Sequence, residues 1–191
     1  MQPTQTLRLV WPAEQYLSSY VAALNQGWSA DTDRGEVAAR EELEKIAKDP
    51  ARFLAELVDR EAKGGPVTLP DGSSVPRLPG YRRWLWDGEL CGSIGFRWQP
   101  GSSALPAYCL GHIGYAVVPW KRGRGYATLA LRALLPEVKA EGLTDVELVT
   151  DASNTASQRV IQANGGVLVE RFVEPAQYGN AEGLRFRIDL R

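Results

Sequence analysis

The chain holds one histidine and two cysteines in 191 residues: His112, Cys91 and Cys109. That is too thin a set for a Cys/His zinc site, which needs four such ligands at close spacing, so no metal is expected. Two cysteines do not make a disulfide scaffold; reduced thiols in a cytoplasmic protein are the simpler reading. An excess of one charge sign is also missing. The formal net charge is −1 with no long block of either sign, which argues against a broad nucleic-acid surface. No apolar run approaches membrane-spanning length, and the first ten residues, MQPTQTLRLV, lack a signal-peptide core. The expectation is a cytoplasmic protein with neither nucleic acid nor membrane as partner. Hydrophobic residues at 44% and charged residues at 24% are ordinary for a soluble globular chain. With no repeat and no linker, residues 1–191 read as one domain with a sizeable core.

Apolar spacing and breakers set the element order. Leu7 to Val10 fits a first strand, and Pro12 to Asn25 and Glu36 to Lys48 fit helices. Asp49-Pro50 reads as an N-cap followed by proline at the first helical position, opening a helix that runs to Lys63. Gly64 to Gly80 is loop, with a small hairpin at Asp71-Gly72. Tyr81 to Trp86 and Glu89 to Trp98 are strands joined by Asp87-Gly88. Gly111 to Val118 is a strand, and Gly125 to Glu141 is a long helix stopped by Gly142. Thr144 to Thr150 is a strand and Thr155 to Ala163 a short helix. Val167 to Val173 and Leu184 to Leu190 are a final antiparallel pair.

Residues 111–127 read GHIGYAVVPWKRGRGYA. A strand ends at Pro119, and a basic, glycine-punctuated turn leads into the long helix. Such a turn points unpaired N–H groups outward at the positive end of the helix dipole, which makes an anion site with phosphate as its usual guest. Gly123 and Gly125 permit torsions and close approach that side chains block, and Arg122 and Arg124 add charge. The turn lacks the Lys-Ser/Thr end of a nucleotide P-loop.

The spacing Arg122-x-x-Gly125-x-Ala127 resembles the pyrophosphate signature of the GNAT superfamily, the acyl-CoA-dependent N-acyltransferases. Residues 154–166, NTASQRVIQANGG, resemble a second family segment. The resemblance covers roughly residues 81–173 and is similar to a bacterial branch of predicted acetyltransferases. It implies a GNAT fold: a twisted mixed sheet of about six to seven strands, helices on both faces and a splayed central strand pair. It further implies acetyl-CoA as acyl donor, with its pyrophosphate on Arg122, Gly123, Arg124, Gly125, Tyr126 and Ala127 and a hydroxyl from Thr128. The pantetheine arm would run along Ala116, Val117 and Val118 to Asn154 and Ser157. Asn154 is also well suited to be an N-cap, and the two roles are compatible.

The resemblance leaves catalysis less defined. His112 stands where many relatives carry a catalytic glutamate, and its ordinary pKa of about 6.5 suits a general base or water relay; a structural histidine is the alternative. Many relatives carry a tyrosine as general acid seven residues after the asparagine, and here that residue is Ile161. Ser157 is the candidate in its place. Trp84, Trp86, Trp98, Tyr108 and Trp120 surround the predicted cleft mainly as packing, with Arg97 and Glu89 the nearest charges. The expected activity is transfer of an acetyl group to a small-molecule or peptide amine by direct attack in a ternary complex, in a monomer or homodimer. The alternative is an acyl-CoA-binding sensor with little turnover.

Overall fold

The computed structural model describes residues 6–69, 71–178 and 180–191. The first five residues, half of the segment read for a signal core, lie outside them. A short strand β1 (Arg8–Val10) leads into helices α1 (Glu14–Asn25), α2 (Gly35–Lys48) and α3 (Pro50–Glu56). Asp49 ends α2 and starts α3: its carboxylate accepts from the Arg52 N–H at 2.9 Å, and Pro50 takes a position where no N–H is missed. The helix expected to reach Lys63 stops at Glu56. Val58 and Asp59 form strand β2 (Val58–Asp59) against Tyr81 and Gly80. The Asp59 carboxylate then accepts the N–H groups of Lys63 and Gly64. A free sheet edge and a side-chain acceptor together satisfy the backbone that a longer helix would have used.

The predicted hairpin is present as β3 (Val67–Thr68) and β4 (Ser74–Val75), with Gly72 at φ +82°. Next come β5 (Gly80–Trp86), β6 (Leu90–Arg97) and β7 (Ile113–Val117). The chain continues through α4 (Tyr126–Ala140), β8 (Asp145–Asp151), α5 (Thr155–Gln162), β9 (Val167–Val173) and β10 (Glu182–Asp189). The expected splay of the central strand pair divides the main strands into two antiparallel sheets. The first runs β1-β5-β6-β7 with β2 also on β5, and the second runs β8-β10-β9. The final pair, β9 and β10, is as expected. β10 also pairs along the whole of β8, which puts the last strand in the middle of its sheet.

Alternation along the strands separates two apolar clusters. On one face, Leu85, Ile94, Ile113, Val146, Leu148 and Phe186 meet Ala130, Leu131, Leu134 and Val138 of α4. On the other, Trp84, Leu90, Ala116 and Val118 meet Leu17, Tyr20, Leu24, Ile46 and Phe53 of the first three helices. Trp84 is fully buried and stacks on Tyr20 at 4.5 Å between ring centroids. The Tyr20 hydroxyl reaches the Glu42 carboxylate at 2.6 Å, so a polar atom in this layer is satisfied by α2. The helices therefore cover both faces of the first sheet, and α4 covers one face of the second.

Gly92, in β6, is fixed by its close contact with β7. Its φ is +154°, and a Cβ there would lie 2.2 Å from the Ala116 carbonyl oxygen of β7. The β5–β6 register slips nearby, between Leu85 and Trp86. Both the torsion and the backbone contact exclude a side chain. Gly92→Ala is expected to destabilise the fold by about 2 kcal/mol or more, measured by urea denaturation; a variant as stable as the wild type would show that β6 and β7 can separate freely at this point.

Candidate active site

The seam lies between β7 and β8. Val118 donates to the Cys91 carbonyl and Arg97 to the His112 carbonyl, so the even-numbered residues from His112 to Val118 bond to β6. Ile113, Tyr115 and Val117 therefore turn their N–H and C=O groups the other way, toward β8. By the same alternation, Ala152 donating to Glu182 and Leu190 to Thr144 leave Glu147, Val149 and Asp151 facing β7. The two edges join at one end only. The His112 N–H donates to the Glu147 carbonyl at 2.8 Å, and the Glu147 N–H donates to His112 Nδ1 at 2.9 Å. Beyond that point the described strands share no ladder. The result is a V-shaped gap lined by unpaired main-chain groups, with its vertex at His112. Of the three residues expected along it, Val117 presents its main chain to the gap, whereas Ala116 and Val118 spend theirs on β6. Val149 and Asp151 line the opposite wall; strand periodicity alone gave no signal for them.

At the open end of β7 the chain makes the basic turn. Gly123 and Gly125 both sit at φ +75°, with nothing within 4 Å of where a Cβ would be. Gly125 is the N-cap of α4, and no side chain caps the helix. The first N–H groups of α4, from Tyr126, Ala127 and Thr128, are thus left for an external acceptor. Arg122 and Arg124 are exposed beside them. The Arg122 Nε donates to the Val117 carbonyl at 3.2 Å, so that arginine folds back over the mouth of the gap. The Thr128 carbonyl accepts from Asn164 Nδ2 at 3.2 Å, which fastens the start of α4 to the end of α5.

A buried ionic group holds this turn in place. Lys121 is 4% exposed and pairs with Asp87 at 2.5 Å and Glu89 at 2.8 Å, both from the β5–β6 hairpin. The Tyr126 hydroxyl donates to the other oxygen of Asp87 at 2.6 Å. Burial works against the charged Asp87, but the bonds from Lys121 and Tyr126 prevail and hold its pKa at about 2. Burial likewise opposes the Lys121 charge, and hydrogen bonds to Asp87 and Glu89 raise its pKa above the usual lysine range. Burial pushes the nearby Cys91 thiol up to about 12, so it stays protonated. Tyr126 thus contributes its backbone to the anion site and its side chain to this anchor. Glu89, a candidate for substrate contact, is engaged here instead.

Asn154 caps α5, its Oδ1 accepting from the Ser157 N–H at 3.0 Å. Ser157 Oγ lies 2.7 Å from the Tyr115 hydroxyl, so β7 and α5 are bridged across the seam. Burial pushes Tyr115 up to about 12, which makes it a proton donor and not a phenolate. A tyrosine in mid-strand reads as packing, and nothing in the sequence marked it. Ile161, at the usual tyrosine position, is buried in the core against Gly166. Trp98 stacks on Phe96 at 5.0 Å, and Tyr108 donates to the Pro76 carbonyl. Most of the expected cleft aromatics are packing, although Trp120 remains exposed.

The comparisons agree with this architecture. The sequence matches the acetyltransferase (GNAT) domain family over residues 73–167. The fold is similar to the microcin C7 self-immunity acetyltransferase solved with acetyl-CoA and AMP: 13% identity, 98% of this chain and 97% of that one, TM-score 0.63. It is also similar to RimL, the ribosomal L7/L12 α-N-protein acetyltransferase, in complex with coenzyme A: 15% identity, 98% and 96% coverage, TM-score 0.61. A protein from Bordetella pertussis assigned to the same acetyltransferase family aligns at 20% identity, 96% of both chains and TM-score 0.59. Curated proteins give no match. The chain belongs to the GNAT superfamily of acetyltransferases.

His112 is 1% exposed, and among the described residues its Nε2 has no partner. Because Nδ1 accepts from Glu147, Nε2 carries the proton of the neutral ring. Burial lowers the His112 pKa below its usual 6.5, with Glu147 opposing. A folded pKa below the unfolded one stabilises the protein above pH about 6.5, and that stability is lost as pH falls through the folded value. His112→Asn keeps an acceptor for the Glu147 N–H and removes the titration. Between pH 7.5 and 5.5 the wild type is expected to lose more unfolding free energy than the variant; parallel losses would remove His112 as the cause.

Proposed function

We propose that the protein transfers an acetyl group from acetyl-CoA to an amine in a ternary complex. The observation that carries this reading is the uncapped start of α4, with its two left-handed glycines, directly at the mouth of the β7–β8 gap. Pyrophosphate suits the N–H groups of Tyr126, Ala127 and Thr128 together with the charges of Arg122 and Arg124. The pantetheine amides suit the Val117 N–H and the main-chain groups of Val149, which would otherwise have only water as partner; the Val117 carbonyl already accepts from Arg122 Nε. Asn154 and Ser157 line the side of that path. Coenzyme A in the solved relatives supports the assignment.

The chemistry follows from the groups at the gap. The amine nitrogen forms a bond to the thioester carbonyl carbon, the carbon–sulfur bond breaks, the nitrogen gives one proton to solvent water and the sulfur gains one. Neither cysteine is needed as a nucleophile. Ser157 Oγ, backed by the Tyr115 hydroxyl, is the proton source for the departing thiolate. His112 serves as a positioning residue in this scheme. Its Nδ1 is committed to Glu147, and protonation there would break the contact that closes the vertex of the gap.

Two experiments test the reading. Gly125→Asp places a carboxylate at the anion site, in open space and at a torsion aspartate tolerates. Calorimetry is expected to show acetyl-CoA binding weakened by about tenfold or more in the variant; unchanged affinity would remove the turn as the pyrophosphate site. Tyr115→Phe and Ser157→Ala, assayed for coenzyme A release with an amine panel, are expected to lower kcat by roughly 10²-fold with little change in acetyl-CoA affinity. If both retain wild-type kcat, the thiolate leaves without their help.

A further inference from the structure

On the face of the first sheet that meets α1, α2 and α3, side-chain cover stops part-way along β6 and β7. Ser93 stands opposite Trp84 on one side and Ala116 on the other, and both of those pack under the helices. Two residues further along the same face, Gly95 stands opposite Arg82 and Gly114. Gly114 is exposed in the middle of β7, and nothing lies within 4 Å of where its Cβ would be. Neither glycine has a left-handed torsion or a crowding backbone neighbour, so the fold itself does not require glycine at either position. Glycine inside a strand is costly and marks a place where something else comes close to the backbone. Beyond this bare floor lie Arg97 and His112, Arg97 donating its N–H to the His112 carbonyl.

The floor is ringed by donors. The Arg82 Cγ lies 3.6 Å from where a Gly95 Cβ would be, so its stem leans over β6 in the direction of Gly114. The Arg97 Nε donates to the Gly111 carbonyl at 2.9 Å, which turns that guanidinium to β7 as well. Arg83, on the opposite face, pairs with Glu137, whereas Arg82 and Arg97 pair with no carboxylate among the described residues. Asp33 is within electrostatic range of Arg97 but forms no ion pair with it. Ser93 is 2% exposed and His112 is 1% exposed, and among the described residues Ser93 Oγ and His112 Nε2 have no hydrogen-bond partner. A buried polar group without a partner is costly, and two such groups flank the same floor. With Nδ1 taken by the Glu147 N–H, His112 offers only a donor here, as do the arginines. What the set lacks is an oxygen-rich group of negative charge.

We propose that this floor is the acyl-acceptor subsite and that its ligand is an amine that also carries an oxyanion, a carboxylate or a phosphonate, held by Arg82 and Arg97 with Ser93 and His112 as further donors. The guanidinium fork matches either oxyanion. β7 is also one wall of the gap, so a ligand on Gly114 lies beside the path assigned to the acyl donor. That the ligand is an amine rests on the acyl-transfer reading; that it is anionic rests on these side chains.

The test is calorimetry on the full chain with β-alanine, 2-aminoethylphosphonate and 3-amino-1-propanol, with and without coenzyme A. The three share an aminoethyl group and differ in what it carries. At least one of the anions is expected to bind about tenfold or more tightly than the alcohol, and the tighter one identifies the oxyanion. Arg82→Met and Arg97→Met keep an apolar stem and remove the fork; each is expected to erase most of that preference and leave acetyl-CoA affinity unchanged. Gly114→Val fills the floor where the fold has room, and is expected to lose the anion at an unchanged Tm. Ser93→Ala is expected to weaken the anion while Tm holds or rises, because an unsatisfied hydroxyl leaves the interior. Equal binding of anions and alcohol, or binding of no probe, overturns the proposal, as does a preference that survives both arginine variants or Gly114→Val. If the anion binds and acetyl-CoA does not, the acyl-transfer reading fails and the subsite stands; the converse result sinks the subsite alone.

Discussion

The reciprocal bonds between His112 and Glu147 are the constraint on which the rest of this molecule depends. They join two antiparallel sheets at one point, His112 giving an N–H and a ring acceptor and Glu147 giving a C=O and an N–H. Past that point each strand is held by its own sheet, β7 by β6 and β8 by β10, and the edges that face each other go unpaired. Buried main-chain groups demand partners. A gap of this kind within a packed protein is therefore a standing site for a ligand with amide groups of its own, and it accounts for the position of the anion turn at its mouth.

The supports of that gap are unusually polar for buried structure. Glu147 also pairs with Arg185 at 2.9 Å and Arg187 at 2.7 Å, so the vertex residue is tied across its own sheet to β10. Those bonds prevail over burial and keep its carboxyl below the usual range. On the other side, Asp87, Lys121 and Tyr126 pin the glycine turn to the β5–β6 hairpin. An apolar anchor of equal volume would be as stable or more so. The ionic one fixes direction: Lys121 must point back toward Asp87, and the two glycines that follow it must then turn outward. Rigid positioning of the N–H groups is what an anion site requires.

Ser157 and Tyr115 show a different kind of bridging. One belongs to the helix after β8 and the other to β7, so their 2.7 Å contact spans the seam from the α4 side.

Most of the elements were legible from residues 6–191, because apolar period, glycines and N-caps are local properties. Asp49, Asn154 and Gly142 mark their boundaries as local chemistry requires, and Gly123 and Gly125 mark the turn. The over-long third helix is the instructive failure: Leu57 and Val58 suit helix and strand equally, and only the free edge of β5 decided between them. The same limit governs the site. The motif from Arg122 to Ala127 is contiguous, so the sequence alone carries it. Which main-chain groups of β7 stay free depends on the register with β6, and Val149 and Asp151 become its opposite wall only when β10 claims the other edge of β8. The single histidine was recognisable as unusual, yet whether it reaches solvent or joins two strands is set by a partner 35 residues away. Tyr115 carried no signal at all. Local torsion and periodicity are written along the chain, whereas unpaired edges, buried charges and close hydroxyls exist only between segments that folding brings together.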